Sequence, residues 1–211
     1  MKSTMIHFSR TDIDKMDKIF RLNLINSCTG FKSANLLGTK SLNGVSNVAV
    51  FSSITHLGSN PPLIGFILRP TTVPRDTYRN INDTGVFTVN HINSDIIEDA
   101  HHTSAKYPDE VSEFTKTDLQ EEFLGDFSAP FVKDAKIRLG CTFLNEYEIK
   151  ENDTLLLVSQ VDHLYVADQE ILQTDGWLKL QNADTVTING LDGYAKTALI
   201  DRYPYARPKK E

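Results

Sequence analysis

Residues 46–77, SNVAVFSSITHLGSNPPLIGFILRPTTVPRDT, carry the reading of this chain. They divide into a strand, a loop, a second strand and a Thr/Arg-rich turn that leads into a helix. The first run, Val48 to Ile54, sets Ser52 and Ser53 in a wall of Val, Ala, Phe and Ile. Polar groups in an apolar wall suit a flat, amphipathic ligand, and the hydroxyls of an ordinary edge strand would read the same way. The second run, Pro62 to Leu68, ends at Arg69, after which Thr71, Thr72, Arg75 and Thr77 gather where a helix should begin. Hydroxyls, guanidinium groups and a helix N-terminus together make an anion site. The plainer reading is that Thr71 and Thr72 cap the helix, Pro74 fills its first turn and the arginines are solvated.

Working outward, Asn43-Gly44 supplies the positive backbone angles of a tight turn between Ala34–Thr39 and Ser46–Ile54, which predicts a hairpin. Upstream, Ile13, Met16, Ile19 and Phe20 have helical spacing, with Thr11 or Asp12 as N-cap. Downstream, residues 85–91 (GVFTVNH) form a strand with Val86, Thr88 and Asn90 on one side and Phe87 and Val89 on the other. Asn93 or Ser94 then caps a helix expected to run through Ala100, His101 and His102 to about Lys106, before Pro108 redirects the chain. Lys136 to Phe143 alternates cleanly. Thr154 to Val166 is apolar on both sides over Leu155–Val158, so it is expected to pass from a barrel interior into a subunit contact. Strands outnumber helices, connections are short and no βαβ rhythm is present. The expected fold is mostly β with accessory helices, a β-barrel. No linker or repeat divides the chain, so one domain over 1–211 is expected.

The 211 residues, 40% of them hydrophobic, can bury roughly 70% of the unfolded surface without staples. Cys28 and Cys141 show no metal or redox spacing and read as buried thiols of a reducing compartment. The start lacks an apolar leader and no run approaches a membrane span, so a cytoplasmic location is expected. A net charge of -6 argues against general nucleic-acid binding. The basic tail, Arg202 to Lys210, reads as a disordered, solvated end.

The order and spacing of several motifs resemble the flavin reductase-like family, the FMN-binding split barrels. The motifs are Asn47-Val48-Ala49 with Ser52-Ser53, Asn60-Pro61-Pro62-Leu63-Ile64, Arg69 with Arg75-Asp76-Thr77, and Thr84 through Asn90. They continue in Ala129-Pro130 leading to Ala135 and Cys141, and in Gly176 through Leu180. The resemblance spans about residues 30–190. It implies a Greek-key split barrel, a homodimer and FMN at the interface. By the same resemblance Asn47, Ala49, Ser52, Ser53 and Ile54 would hold the isoalloxazine edge and ribityl chain. Arg69, Thr72, Arg75 and Thr77 would hold the phosphate. His102, on the helix after the Val-Asn strand, would touch the cofactor or the substrate entrance, or else be a solvated helix histidine. His56 divides between loop structure and flavin contact.

Adjacent histidines on a helix point about 100° apart, so His101 and His102 do not have metal-ligand geometry, and no metal is expected. No nucleophile motif or nucleotide loop is present, which suits chemistry carried by a cofactor. No catalytic side chain is therefore named. The resemblance implies an NAD(P)H-dependent flavin reductase passing hydride to flavin N5, with a monooxygenase or other electron acceptor as partner. Many relatives carry Gly-Asp-His before the late strand. This chain has Asn152-Asp153-Thr154, a departure that weakens the nicotinamide expectation. Two alternatives stay open: a flavoredoxin-like electron carrier with fixed FMN, and a flavin- or ligand-binding barrel without turnover.

Overall fold

The computed structural model describes residues 5–70 and 72–208. Thr71 of the Thr/Arg cluster and Lys209 and Lys210 of the tail lie outside the described residues. The chain opens with helices α1 (Arg10–Lys15) and α2 (Lys18–Ser27), then strands β1 (Lys32–Ser33), β2 (Asn35–Lys40), β3 (Ser46–Phe51), β4 (Thr55–Ser59) and β5 (Pro62–Leu68). Helix α3 (Asp76–Thr84), strand β6 (Val86–His91) and helix α4 (Ile97–His102) follow. The last part holds β7 (Glu121–Glu122), β8 (Phe131–Val132), β9 (Ile137–Ile149), β10 (Thr154–Val166), β11 (Val186–Asn189) and β12 (Gly193–Lys196).

The Asn-Gly turn closes the expected hairpin: Gly44 sits at φ +85° and β2 pairs with β3 from Asn35–Phe51 to Lys40–Ser46. Seven antiparallel strands make one sheet in the order β3-β2-β6-β9-β10-β5-β4. Its two edges, β3 and β4, are consecutive in the chain. Leu37 of β2, Phe66 of β5, Phe87 of β6, Cys141 of β9 and Leu157 of β10 share one buried cluster with Ile81 of α3. Strands from opposite halves of a sheet share a core only when the sheet curls onto itself. The Phe66 ring lies 5.5 Å from both Phe51 and Phe87, although β5 is hydrogen-bonded to neither of their strands. Truncating such a ring to Ala costs about 3–5 kcal/mol.

The outer face of β2 and β3 carries a second core. Leu36 and Val48 pack there with Ala100 of α4, Phe114 and Ile188 of β11, and β11 belongs to a small β1-β11-β12 sheet. The Thr-x-Asn pattern of β6 is a latch. Thr88 Oγ1 donates to the Pro130 carbonyl at 2.6 Å, and Asn90 accepts from Val132 N–H at 2.9 Å while donating to Thr88 and the Leu36 carbonyl. Gly38 lets that segment approach, because a Cβ there would stand 2.1 Å from the Pro130 oxygen.

Several expectations change. The single N-terminal helix is two: Ser9 and Asp12 form a capping box for α1, Met16 turns extended (ψ 149°), and Asp17 caps α2. Two local caps outweigh the continuous apolar spacing. The helix after β6 is capped by Asn93 but stops at His102, where Ser104 and Ala105 N–H groups turn back in tight bonds, so it does not reach Lys106. Thr55–Ser59 is no loop. It is an edge strand paired to β5, which carries His56, because pairing with a neighbour overrides weak local propensity. Cys28 is exposed at the end of α2, a helix with no buried residue, whereas Cys141 is buried and its thiol pKa is pushed up by burial and Asp162. The tail is pinned at Arg202, whose guanidinium lies 4.5 Å over Trp177 and pairs with Asp175 at 2.9 Å. No helix among the described residues is long and apolar enough to cross a membrane.

Candidate functional site

Asn47 is buried near the start of β3, and its amide donates to Thr39 Oγ1 at 3.2 Å and Thr77 Oγ1 at 3.1 Å. Asn80 donates to the same Thr39 oxygen at 3.1 Å. This network ties the first turn of α3 to β2 and β3, and it joins two of the sequence-predicted residues directly. Ser53 has a different task. Its hydroxyl donates to the Ile67 carbonyl and accepts from the Ile67 N–H, both at 3.1 Å, which fastens the end of β3 to β5. Ile54 packs on the barrel cluster, and its carbonyl accepts from Ser33 Oγ at 3.2 Å. Ala49 and Ser52 are half-buried, and Ser52 Oγ has no hydrogen bond among the described residues.

The β5–α3 turn carries the other predicted group. Arg69 and Thr72 are exposed and Arg75 is half-buried. Arg75 holds the N-cap position of α3 with no side chain bonded to the helix start, so Thr72 is not the cap. The Arg75 side chain therefore satisfies none of the first-turn N–H groups of that helix. Arg75 and Arg79 stand at that start, and Arg69 directly follows β5, six residues before Arg75. Arg79 is clamped between Asp76 and Asp109, each at 2.6 Å. Arg69 and Arg75 make no ion pair among the described residues, and Arg75 Nε is buried without a hydrogen-bond partner. Burial and then Asp109 raise the Asp76 carboxyl pKa, opposed by Arg79.

Glu113 was not visible as a site residue. Its carboxylate is buried and accepts from the Val48 N–H at 3.1 Å, satisfying a backbone donor on the edge strand β3. Burial raises its pKa above the ordinary carboxylate range. Beside it, Ser112 Oγ is buried without a partner among the described residues. No local signal links positions 65 residues apart; the packing of the 113–115 turn, through Phe114, on the outer core brings them together.

His102 sits apart from this set, exposed on the last turn of α4, with Nε2 2.7 Å from the Tyr107 hydroxyl. His101 turns to Tyr194, with Nδ1 3.3 Å from its hydroxyl. Among the described residues no hydrogen bond joins either histidine to the arginine turn.

The chain matches the flavin reductase-like domain family over residues 31–177. Among solved structures it is similar to a candidate flavin reductase with a split-barrel domain from Shewanella frigidimarina NCIMB 400. That likeness is 44% identity and a TM-score of 0.92, covering 96% of this chain and 100% of the other. Nitrilotriacetate monooxygenase component B from Bacillus cereus shares the fold at 21% identity and a TM-score of 0.82, covering 95% of this chain and 99% of its own. The flavoredoxin of Desulfovibrio vulgaris (Miyazaki F) does so at 19% identity and 0.71, covering 83% and 92%.

Proposed function

The chain belongs to the flavin reductase-like family, and from that premise we propose that it is an FMN-binding oxidoreductase, an NAD(P)H-dependent flavin reductase acting as a homodimer. One observation carries the reading. Among the described residues Arg79 is paired with two carboxylates, while Arg75 presents a buried Nε without a partner at the N-cap of α3, where its own side chain makes no capping bond. A phosphate dianion fits that donor set, since guanidinium N–H groups, hydroxyls and free backbone N–H groups are its usual partners.

Arg69, Thr72 and Arg75 would hold the phosphate, and Thr77 would orient the helix start through its bond to Asn47. Ala49, Ser52 and Ile54 would line the ring, with Ser53 fixing that segment to β5. His102 would stand at the entrance. Bound flavin would supply the redox chemistry, taking hydride from a reduced nicotinamide and passing electrons to an acceptor such as a monooxygenase. The chain's own contribution is positioning and exclusion of water, without a side-chain acid or base. A second copy would cover the outer face where Leu57, 44% exposed, and Leu156 both lie over Gly65, beside Tyr147, 55% exposed and paired in register with Leu156.

A flavoredoxin-like carrier is the second reading, favoured by the β9–β10 turn. There Thr154 Oγ1 donates to Asn152 Oδ1 at 2.7 Å, and no histidine is present to meet a nicotinamide. Stopped-flow mixing of the FMN-loaded protein with NADH and with NADPH separates the two. Rapid bleaching of the flavin supports the reductase, and slow bleaching by both supports the carrier. A colourless protein that rejects added FMN would overturn both.

A further inference from the structure

The N-terminal arm, residues 5–27, stands outside the hydrophobic cores. Neither α1 nor α2 has a buried residue, and neither contributes to the barrel cluster, the outer core or the small cluster around Ile137. The arm is tied to the body at its base, where the Lys32 ammonium donates to the carbonyls of Asn26 and Gly190, both at 3.0 Å. Further out it folds on itself, with the Phe8 and Phe20 rings edge to face at 6.4 Å.

Helices of six and ten residues do not persist alone, since isolated helices below about 12–15 residues are marginal in water. Packing must hold them, and their own body does not supply it. Ile19, Phe20, Leu22, Leu24 and Ile25 spread around α2 at about 100° per residue instead of lining one face, with Ile19 61% exposed and Phe20 53%. A helix apolar on all sides belongs in a protein interior, whereas one lying on a membrane surface keeps a single apolar face. With Met5 and Ile6 the arm exposes on the order of 700 Å2 of apolar surface, near the roughly 800 Å2 per partner of a standard interface.

Charge identifies the partner. Residues 1–27 hold five lysines and arginines against three aspartates, whereas the rest of the chain holds 17 against 25 aspartates and glutamates. Lys15 and Lys18 meet no carboxylate among the described residues. A surface both apolar and acidic lies at the end of the β9–β10 hairpin, where exposed Leu144 and Tyr147 stand among exposed Glu148, Glu151 and Asp153. We propose that the α1–α2 arm packs on the β9–β10 hairpin end of a second copy of this chain, with its apolar side chains on Leu144 and Tyr147 and with Lys15 and Lys18 toward the carboxylates. By two-fold symmetry each hairpin receives the other copy's arm. The arm is then the segment that covers the Tyr147 face of the homodimer proposed above. The contact involves no flavin, so it can fail while FMN binding holds, and hold while FMN binding fails.

Full-length protein mixed from unlabelled and heavy-isotope copies and treated with a carbodiimide tests the contact. Cross-links should join Lys15 or Lys18 of one isotope to Glu148, Glu151 or Asp153 of the other. Ile19→Glu/Ile25→Glu, placed where no side chain is buried, should leave hydrogen exchange of the barrel strands unchanged and reduce those hybrid cross-links at least about tenfold. Exchange of the α2 amides should be at least about tenfold slower in the wild type than in that variant, and Tyr147→Ala should speed it in the same way. Cross-links confined to one isotope, hybrid cross-links to other carboxylates, or α2 protection unmoved by Tyr147→Ala would overturn the proposal. So would α2 amides that are protected only when vesicles of anionic phospholipid are added.

Discussion

At the β3 end of the candidate flavin site, Asn47 bonds to Thr77 and Ser53 closes onto both backbone groups of Ile67. At the β5–α3 turn, Arg69 and Arg75 meet no carboxylate among the described residues and Arg75 Nε has no partner. Both groups come from one continuous stretch and are equally polar in the sequence. On the proposed reading, the difference would separate residues that build the site's walls from residues that meet a ligand. A satisfied polar group acts through stability, whereas an unsatisfied one acts through binding.

Asn47→Ala gives the largest effect expected from this contrast. It removes two buried hydrogen bonds and leaves the Thr77 hydroxyl without its donor, while Thr39 keeps that of Asn80, so denaturant unfolding should show a loss of roughly 2–4 kcal/mol. A loss below about 1 kcal/mol would place Asn47 with the ligand-facing group instead.

His91 sharpens the contrast as a group whose Nδ1 is buried without a hydrogen-bond partner among the described residues. Its folded pKa, about 4, lies below its ordinary 6.5, so the unfolded chain binds the proton more readily between those values. Stability from this group is complete above about pH 6.5 and is lost as pH falls toward about 4, by on the order of 2–3 kcal/mol. Unfolding curves of wild type and His91→Gln across that window isolate the effect from the carboxylates both share. Parallel pH profiles would show that His91 is hydrated in the folded state.

Arg75→Ala should leave unfolding nearly unchanged and weaken FMN about 10–100-fold, the value of charge-assisted bonds to a phosphate, with riboflavin unaffected. Fluorescence-quenching titrations with both flavins check it, and an equal loss for the two would remove the phosphate from this turn. Arg79→Ala is the smallest change. Its pairs are 42% exposed on the arginine side, so stability should fall by less than about 1 kcal/mol and FMN affinity by less than about threefold. A loss as large as that of Arg75→Ala would mean that pairing with Asp76 and Asp109 does not withdraw Arg79 from the ligand.

Much of the barrel was legible because local pattern and tertiary role agree. Pro62–Leu68 and Thr154–Val166 are strands over the limits read from their apolar runs, and Asn43-Gly44 turns where its backbone preference requires. The N-terminal break at Met16 was legible in principle, through Ser9-x-x-Asp12 and Asp17, but apolar periodicity pointed the other way. Thr55–Ser59 was not legible as a strand, since its only strong reason to extend is the partner β5.

Residue types, their order and the turn chemistry were enough to indicate a mostly β barrel of the flavin reductase-like family and the stretch that forms its candidate site. Those properties are local, or are set by motif order along the chain. Which polar atoms have partners is not local. The Asn47–Thr77 bond, the Glu113 carboxylate on Val48 and the orphaned Arg75 Nε and His91 Nδ1 exist only once distant segments meet. Hydrogen bonds reach only about 3 Å, so satisfaction of a buried group depends on atoms that sequence spacing does not place.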